Sequence, residues 1–133
     1  MGEFASADAR VRLLDNPARD QASALNTGIQ QAHGEIIVRV DGHAVIPPSY
    51  ITQCVQCLDS TGADNVGGRV VSVGETLWGE SIGVAMSSLL GTGGSRFRVG
   101  GSPGMVDTVP FGVFRRTLID QIGLFDPLSV PNE

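Results

Sequence analysis

Ile36, Ile37, Val38 and Val40 form a short β-branched apolar run that ends in Asp41-Gly42-His43. Apolar residues on successive positions mark a strand buried on both faces. Such strands belong to parallel sheets with helices on either side, so this stretch constrains the fold more than any other. It also sets an acid, a residue with no side chain and an imidazole at the carboxyl end of a core strand. In open α/β sheets, ligands bind at that end.

The flanking segments extend the pattern. Residues 11–14 read as a short strand. Asp15 or Asn16 can cap a helix, with Pro17 in its first turn, where the missing N–H is harmless. Ala22, Leu25, Ile29 and Ala32 then share one helical face, and Gly34 stands where a left-handed C-cap belongs. Residues 35–40 follow as the buried strand. Strand, helix and strand in sequence make a βαβ unit with a right-handed crossover. Pro47-Pro48 opens a second helix, with Ile51, Cys54, Val55 and Leu58 on one face and Thr61-Gly62 at its end. Residues 65–73 read as a strand weakened by Gly67 and Gly68. Trp78, Ile82, Ala85 and Leu89 mark a helix that stops at Gly91, with Trp78 assigned to the core.

Residues 92–105 show no periodicity and carry Arg96, Phe97 and Arg98 among glycines. Loops of this length in compact domains often act as lids or binding loops. Residues 106–114 read as a further strand, and Pro110 places it at an edge or a bulge. Residues 115–122 form a short helix with Gly123 as its stop, and Leu124-Phe125-Asp126 begins a turn.

With 133 residues, 41% of them hydrophobic, the chain can bury one core and not two. A net charge of −5 argues against general nucleic-acid binding. The nine basic residues are mostly scattered, which argues against a polybasic membrane patch. No apolar run reaches the length of a membrane span, and the N-terminus has no signal-peptide core. Two cysteines without a secretion signal point to a reducing, cytoplasmic compartment. Met1-Gly2-Glu3-Phe4 reads as a cloning remnant, so residues 1–10 are set aside as a vector-derived or disordered tail.

Asp41-x-His43 can hold a divalent metal against a diphosphate. Oxygen and imidazole ligands suit Mn²⁺, and Mg²⁺ less well. The cation would neutralise charge on a leaving phosphate. The alternative is a capped strand end with a solvated imidazole. Cys54 and Cys57 match C-x-x-C, but the pair lies inside a helix and Cys54 shares its apolar face, so packing is the reading. Arg96 and Arg98 either clamp a phosphate or an acceptor sugar, or are solvated loop cations. His33 complements a helix dipole.

Taken together, NPARDQASALNTGIQQAHGEIIVRVDGHA, the Gly-rich basic loop and VDTVPFGVFRRTLIDQIGLFDPLSVPNE resemble the family 2 inverting glycosyltransferases. Within them the likeness is greatest to the succinoglycan-biosynthesis (ExoA-like) glucosyltransferases. The resemblance runs over residues 11–133. It implies a Rossmann-like GT-A α/β sandwich with a mostly parallel sheet, helices on both faces and strand order 3-2-1-4-6-5-7. It implies transfer of a hexose, with UDP-glucose as the expected donor, to a glycan or lipid-linked acceptor, with Mg²⁺ or Mn²⁺ as cofactor.

Residue by residue, Asp41-Gly42-His43 takes the D-x-D position. Asp41 faces the donor, and His43 replaces the acid that normally holds the metal. Arg19 and Asn26 match positions near the donor nucleotide. Phe111, Gly112, Arg115 and Arg116 match the acceptor side, where Arg96 and Arg98 are also placed. Glu133 matches the start of the ED motif, whose Asp would follow it as general base. The resemblance further implies two β-α units ahead of residue 11, so the chain reads as an internal piece with little turnover of its own. The whole enzyme would sit at the cytoplasmic face of the bacterial inner membrane.

The strand at 11–14 would then stand roughly 14 Å from the strand at 35–40. The exposed edges invite a homodimer by strand exchange, or packing of the first strand directly beside the second. Two other functions compete: a non-catalytic α/β module that binds a nucleotide or partner, and a phosphoesterase using Asp41 and His43. The latter lacks the further acids and histidines of a two-metal site.

Overall fold

The computed structural model describes residues 2–74, 76–88 and 95–128. Its elements are α1 (Gly2–Ala7), α2 (Gln21–Gln31), β1 (Ile36–Val38), α3 (Tyr50–Thr61), β2 (Asn65–Val66), α4 (Leu77–Met86), α5 (Arg96–Val99), β3 (Val113–Arg115) and α6 (Arg116–Ile122). They fall into two compact units, Met1–Ile37 with Arg116–Glu133, and Val38–Arg115.

In the first unit, α2 starts later than the composition suggests. Asn16 does not cap it. Instead Arg19 N donates to Asn16 O at 3.1 Å, closing a turn around Pro17, and Asp20 becomes the N-cap by accepting from Ser23 N at 2.7 Å. Pro17 fits this turn as well as it would a helix start, so sequence alone does not separate the two. The helix ends at Ala32 in extended backbone, without a left-handed glycine. Arg12 serves the C-terminus instead, donating to Gln31 O at 3.0 Å and Gln31 Oε1 at 2.8 Å. A cation there complements the helix dipole. Ile29 is the buried residue of α2. Residues 11–14 form no strand. A strand exists only where a neighbour takes its backbone bonds, and no ladder among the described residues reaches this segment. The expected βαβ unit and the packing of residues 11–14 beside residues 35–40 are therefore corrected. Gly123, at φ 85, stops α6 as its position suggests.

In the second unit, α3 packs on β2 and β3. Cys54 and Leu58 from the helix, with Val113 and Phe114 from β3, form the buried core. The helix ends at Gly62 in the left-handed region, φ 67, as expected from Thr61-Gly62. Both cysteines are free, and Cys54 is packed in the core. The sheet has the order β1-β3-β2, which is the 4-6-5 segment of the order implied by the resemblance. Its described strands show none of the parallel pairing of the expected mostly parallel sheet. Asn65 pairs with Phe114 and Val66 with Val113 in antiparallel register. The backbone bonds Arg39 N to Gly112 O and Arg116 N to Glu35 O give β1 the same antiparallel sense against β3.

All three strands are shorter than their apolar runs. β2 stops at Gly67, where an added Cβ would lie 2.5 Å from Val109 Cγ1 and 3.0 Å from Pro110 O. The Val109 side chain and the Pro110 carbonyl press close there. Phe111, at φ 51, turns the chain just ahead of β3. β1 is half-buried, not buried on both faces, because it lies at the edge of a three-stranded sheet. Trp78 is 82% exposed on α4 and is not a core residue. Its helical spacing is real, but α4 is apolar on several sides, so the spacing does not specify a single inward face. Leu89 and Gly91 lie outside the described residues.

Candidate functional site

The Asp41 turn follows directly from β1. Arg39 N donates to Gly112 O at 3.0 Å, fixing the chain against the residue that precedes β3. Two residues later Asp41 O accepts from Ala44 N at 2.9 Å, closing a turn that carries Gly42 and His43. A Cβ on Gly42 would meet nothing within 4 Å, so the turn faces open space. His43 is exposed.

Asp41 is held differently. Arg39 Nε donates to one carboxylate oxygen at 2.9 Å and Nη2 to the other at 3.1 Å. Both side chains are about three-quarters shielded, with relative exposures of 28% for Arg39 and 27% for Asp41. The hydrogen-bonded guanidinium holds the Asp41 carboxyl below its ordinary range, and the charges of Arg39 and His43 act in the same direction against partial desolvation. The acid therefore stands ionised, with its charge already paired. Positions i and i+2 of an extended chain share a side, and that spacing is the sequence signal that pairs Arg39 with Asp41.

Phe111-Gly112 joins this arrangement. Tyr50 Oη donates to Phe111 O at 2.8 Å. Gly112 is buried, and a Cβ there would fall 2.4 Å from Asn65 Oδ1. The same glycine carbonyl receives Arg39 N, so the dipeptide expected on the acceptor side is bonded to the segment that bears Asp41.

Other expected site residues are committed elsewhere. Arg115 forms an ion pair with Asp59 on α3. Arg96 braces its own loop, donating to Met105 O at 3.1 Å and Ser102 O at 2.8 Å. Arg98 lies over the Phe97 ring at 5.3 Å, and its carbonyl accepts from Arg69 Nε. In the first unit, Asn26 exchanges two bonds with the Phe125 backbone, at 2.8 and 2.9 Å, and Arg116 donates to the carbonyls of Ala32 and Gly34. Arg19 is exposed with φ 57. Glu133 lies outside the described residues.

Asp41 and His43 supply a carboxylate and an imidazole, two positions apart. Among the described residues, no cluster of three or more His, Cys, Asp or Glu side chains is placed to hold a metal. An ionised carboxylate has about four lone-pair sites, and the Arg39 fork takes one on each oxygen of Asp41, so a cation arriving there competes with the guanidinium. Mg²⁺ sites commonly take one or two carboxylates and fill the rest with phosphate and water. The pair fits a cation brought in by a diphosphate and does not form a complete protein cage.

The family model for glycosyl transferase family 2 matches residues 1–123. The chain belongs to that family. Family 2 membership implies the GT-A α/β fold. The succinoglycan biosynthesis protein ExoA of Rhizobium meliloti (strain 1021) is 35% identical over 99 residues. That alignment covers 73% of this chain and 30% of the relative, so the chain spans less than a third of the protein it matches. No solved structure matches it. Among the described residues, no helix is long and apolar enough to cross a membrane.

Proposed function

We propose that this family 2 chain is the donor-side part of a glycosyltransferase of exopolysaccharide synthesis. The whole enzyme would move a hexose from a nucleotide diphosphate sugar, UDP-glucose in the first instance, to a glycan or lipid-linked acceptor. Family membership and the likeness to ExoA support the reaction class. The observation that carries the reading is the Asp41-Gly42-His43 turn, open to solvent at the end of β1, with its acid held ionised.

In this reading Asp41 and His43 hold Mg²⁺ or Mn²⁺ against the donor diphosphate. The bound cation would neutralise charge on the leaving nucleotide. Phe111 and Gly112 shape the neighbouring wall, and the Arg96–Arg98 loop belongs to the acceptor side. Turnover is proposed as a property of the whole enzyme.

Calorimetric titration of UDP-glucose in the presence of Mn²⁺ tests this. Binding should weaken at least about tenfold in Asp41→Ala and in His43→Ala, the loss associated with one charge-assisted contact. Unchanged binding in both variants would overturn the site assignment. Tight binding that ignores the metal and both substitutions would favour a non-catalytic nucleotide-binding module.

A further inference from the structure

In the donor reading the fork from Arg39 serves only to keep Asp41 ionised. It is nevertheless the most constrained feature of the turn: two hydrogen bonds, at 2.9 and 3.1 Å, between side chains about three-quarters shielded. The Arg39 backbone is separately anchored on Gly112 O, so the guanidinium can move without releasing the strand. A guanidinium on both carboxylate oxygens competes with any cation approaching Asp41. It also carries donors in the geometry that matches phosphate oxygens.

We infer that Arg39 is a positioning residue that exchanges partners on donor binding, leaving Asp41 for the diphosphate of a nucleotide sugar as the divalent cation takes its place. This rests on the donor reading above. Without nucleotide, Arg39 supplies the counter-charge at Asp41 and weakens capture of the free cation. With nucleotide, the diphosphate offers Arg39 a new anion and brings the cation with it. Cation and nucleotide then bind together more tightly than either alone. The transfer conserves charge pairing, because Asp41 exchanges one cation for another while the guanidinium moves from carboxylate to phosphate.

The two roles predict opposite effects of one substitution. In Arg39→Gln, free Mn²⁺, measured by electron paramagnetic resonance of the unbound ion, should bind about threefold tighter, the scale of a partly exposed ion pair. UDP measured calorimetrically with Mn²⁺ should bind about tenfold weaker. Arg39→Lys keeps the charge without the fork and should fall between wild type and Arg39→Gln in both assays. Thermal melting of each variant checks that the fold is kept; should Arg39→Gln not fold, Arg39→Lys carries the test. Mn²⁺ affinity that is unchanged or weaker in Arg39→Gln would overturn the inference, as would unchanged UDP affinity. If Asp41→Ala weakens Mn²⁺–UDP binding while the Arg39 variants do not change it, the exchange fails and the donor site stands. If Asp41→Ala has no effect, the donor site fails first.

Discussion

At the scale of single residues, Gly112 is a buried position where an added atom meets one particular side chain. Its missing side chain leaves room for the Asn65 amide, and its carbonyl anchors Arg39. Gly112→Ala brings a methyl group to within 2.4 Å of Asn65 Oδ1; the Asn65 amide ends an exposed side chain that can turn aside, so the cost falls at the low end of overpacking, about 1 kcal/mol. Urea unfolding should show that loss, and Asn65→Ala in the same chain should recover most of it. A loss that Asn65→Ala leaves untouched would locate the strain elsewhere. Arg19 behaves in the opposite sense. It is exposed at φ 57, a conformation disfavoured for residues with a Cβ. Arg19→Gly should therefore raise the melting temperature, by an amount equivalent to about 0.5 kcal/mol after the added freedom of the unfolded chain is counted. The Asp41 turn was legible because an acid and an imidazole stood directly after an apolar run. The partners of those residues were less so. Arg115 meets Asp59 across 56 positions, and no local pattern reports a contact at that separation.

At the scale of elements, helices followed their sequence signals more closely than strands. The ends of α3 and α6 rest on glycines at φ 67 and φ 85, and that chemistry is local. Strand length depends instead on which distant backbone comes alongside, so residues 65–73 and 106–114 kept only short paired ends. The start of α2 offers a test of local chemistry. Asp20 accepts from Ser23 N, and this bond holds the Asp20 carboxyl below its usual range. A carboxyl depressed in the folded state contributes stability above its unfolded pKa, about 3.9. That contribution is lost as pH falls through the lower folded value. Asp20→Asn retains an oxygen acceptor without the charge, so its stability should vary less with pH from about 4 downward. Asp20→Ala should melt lower at neutral pH. Circular dichroism melts across this range separate the cap from the charge, and an acid limb identical in wild type and Asp20→Asn would show that Asp20 is not its source.

At the scale of the whole molecule, little of the described chain is deeply shielded. The buried apolar residues are Ile29, Cys54, Leu58, Val113 and Phe114, whereas Leu13, Val45, Val73, Leu77, Trp78, Ile82 and Val84 are exposed. Exposed apolar surface on this scale should bind anilinonaphthalene sulfonate in the native state. Stability should rest on a few side chains. Leu58, 2% exposed, is buried at the junction of α3 with the sheet, and Leu58→Ala should cost about 2–5 kcal/mol. Leu13, 65% exposed, should tolerate the same substitution within about 0.5 kcal/mol. Folded domains carry about 5–15 kcal/mol in total, so the first change consumes a large share of stability and the second almost none. In urea, Leu58→Ala should lower the unfolding midpoint with its slope unchanged, since the surface exposed on unfolding is nearly the same. Equal midpoints for the two variants would mean that α3 does not carry the core, and the sheet that supports Asp41 and Gly112 would then need another source of stability.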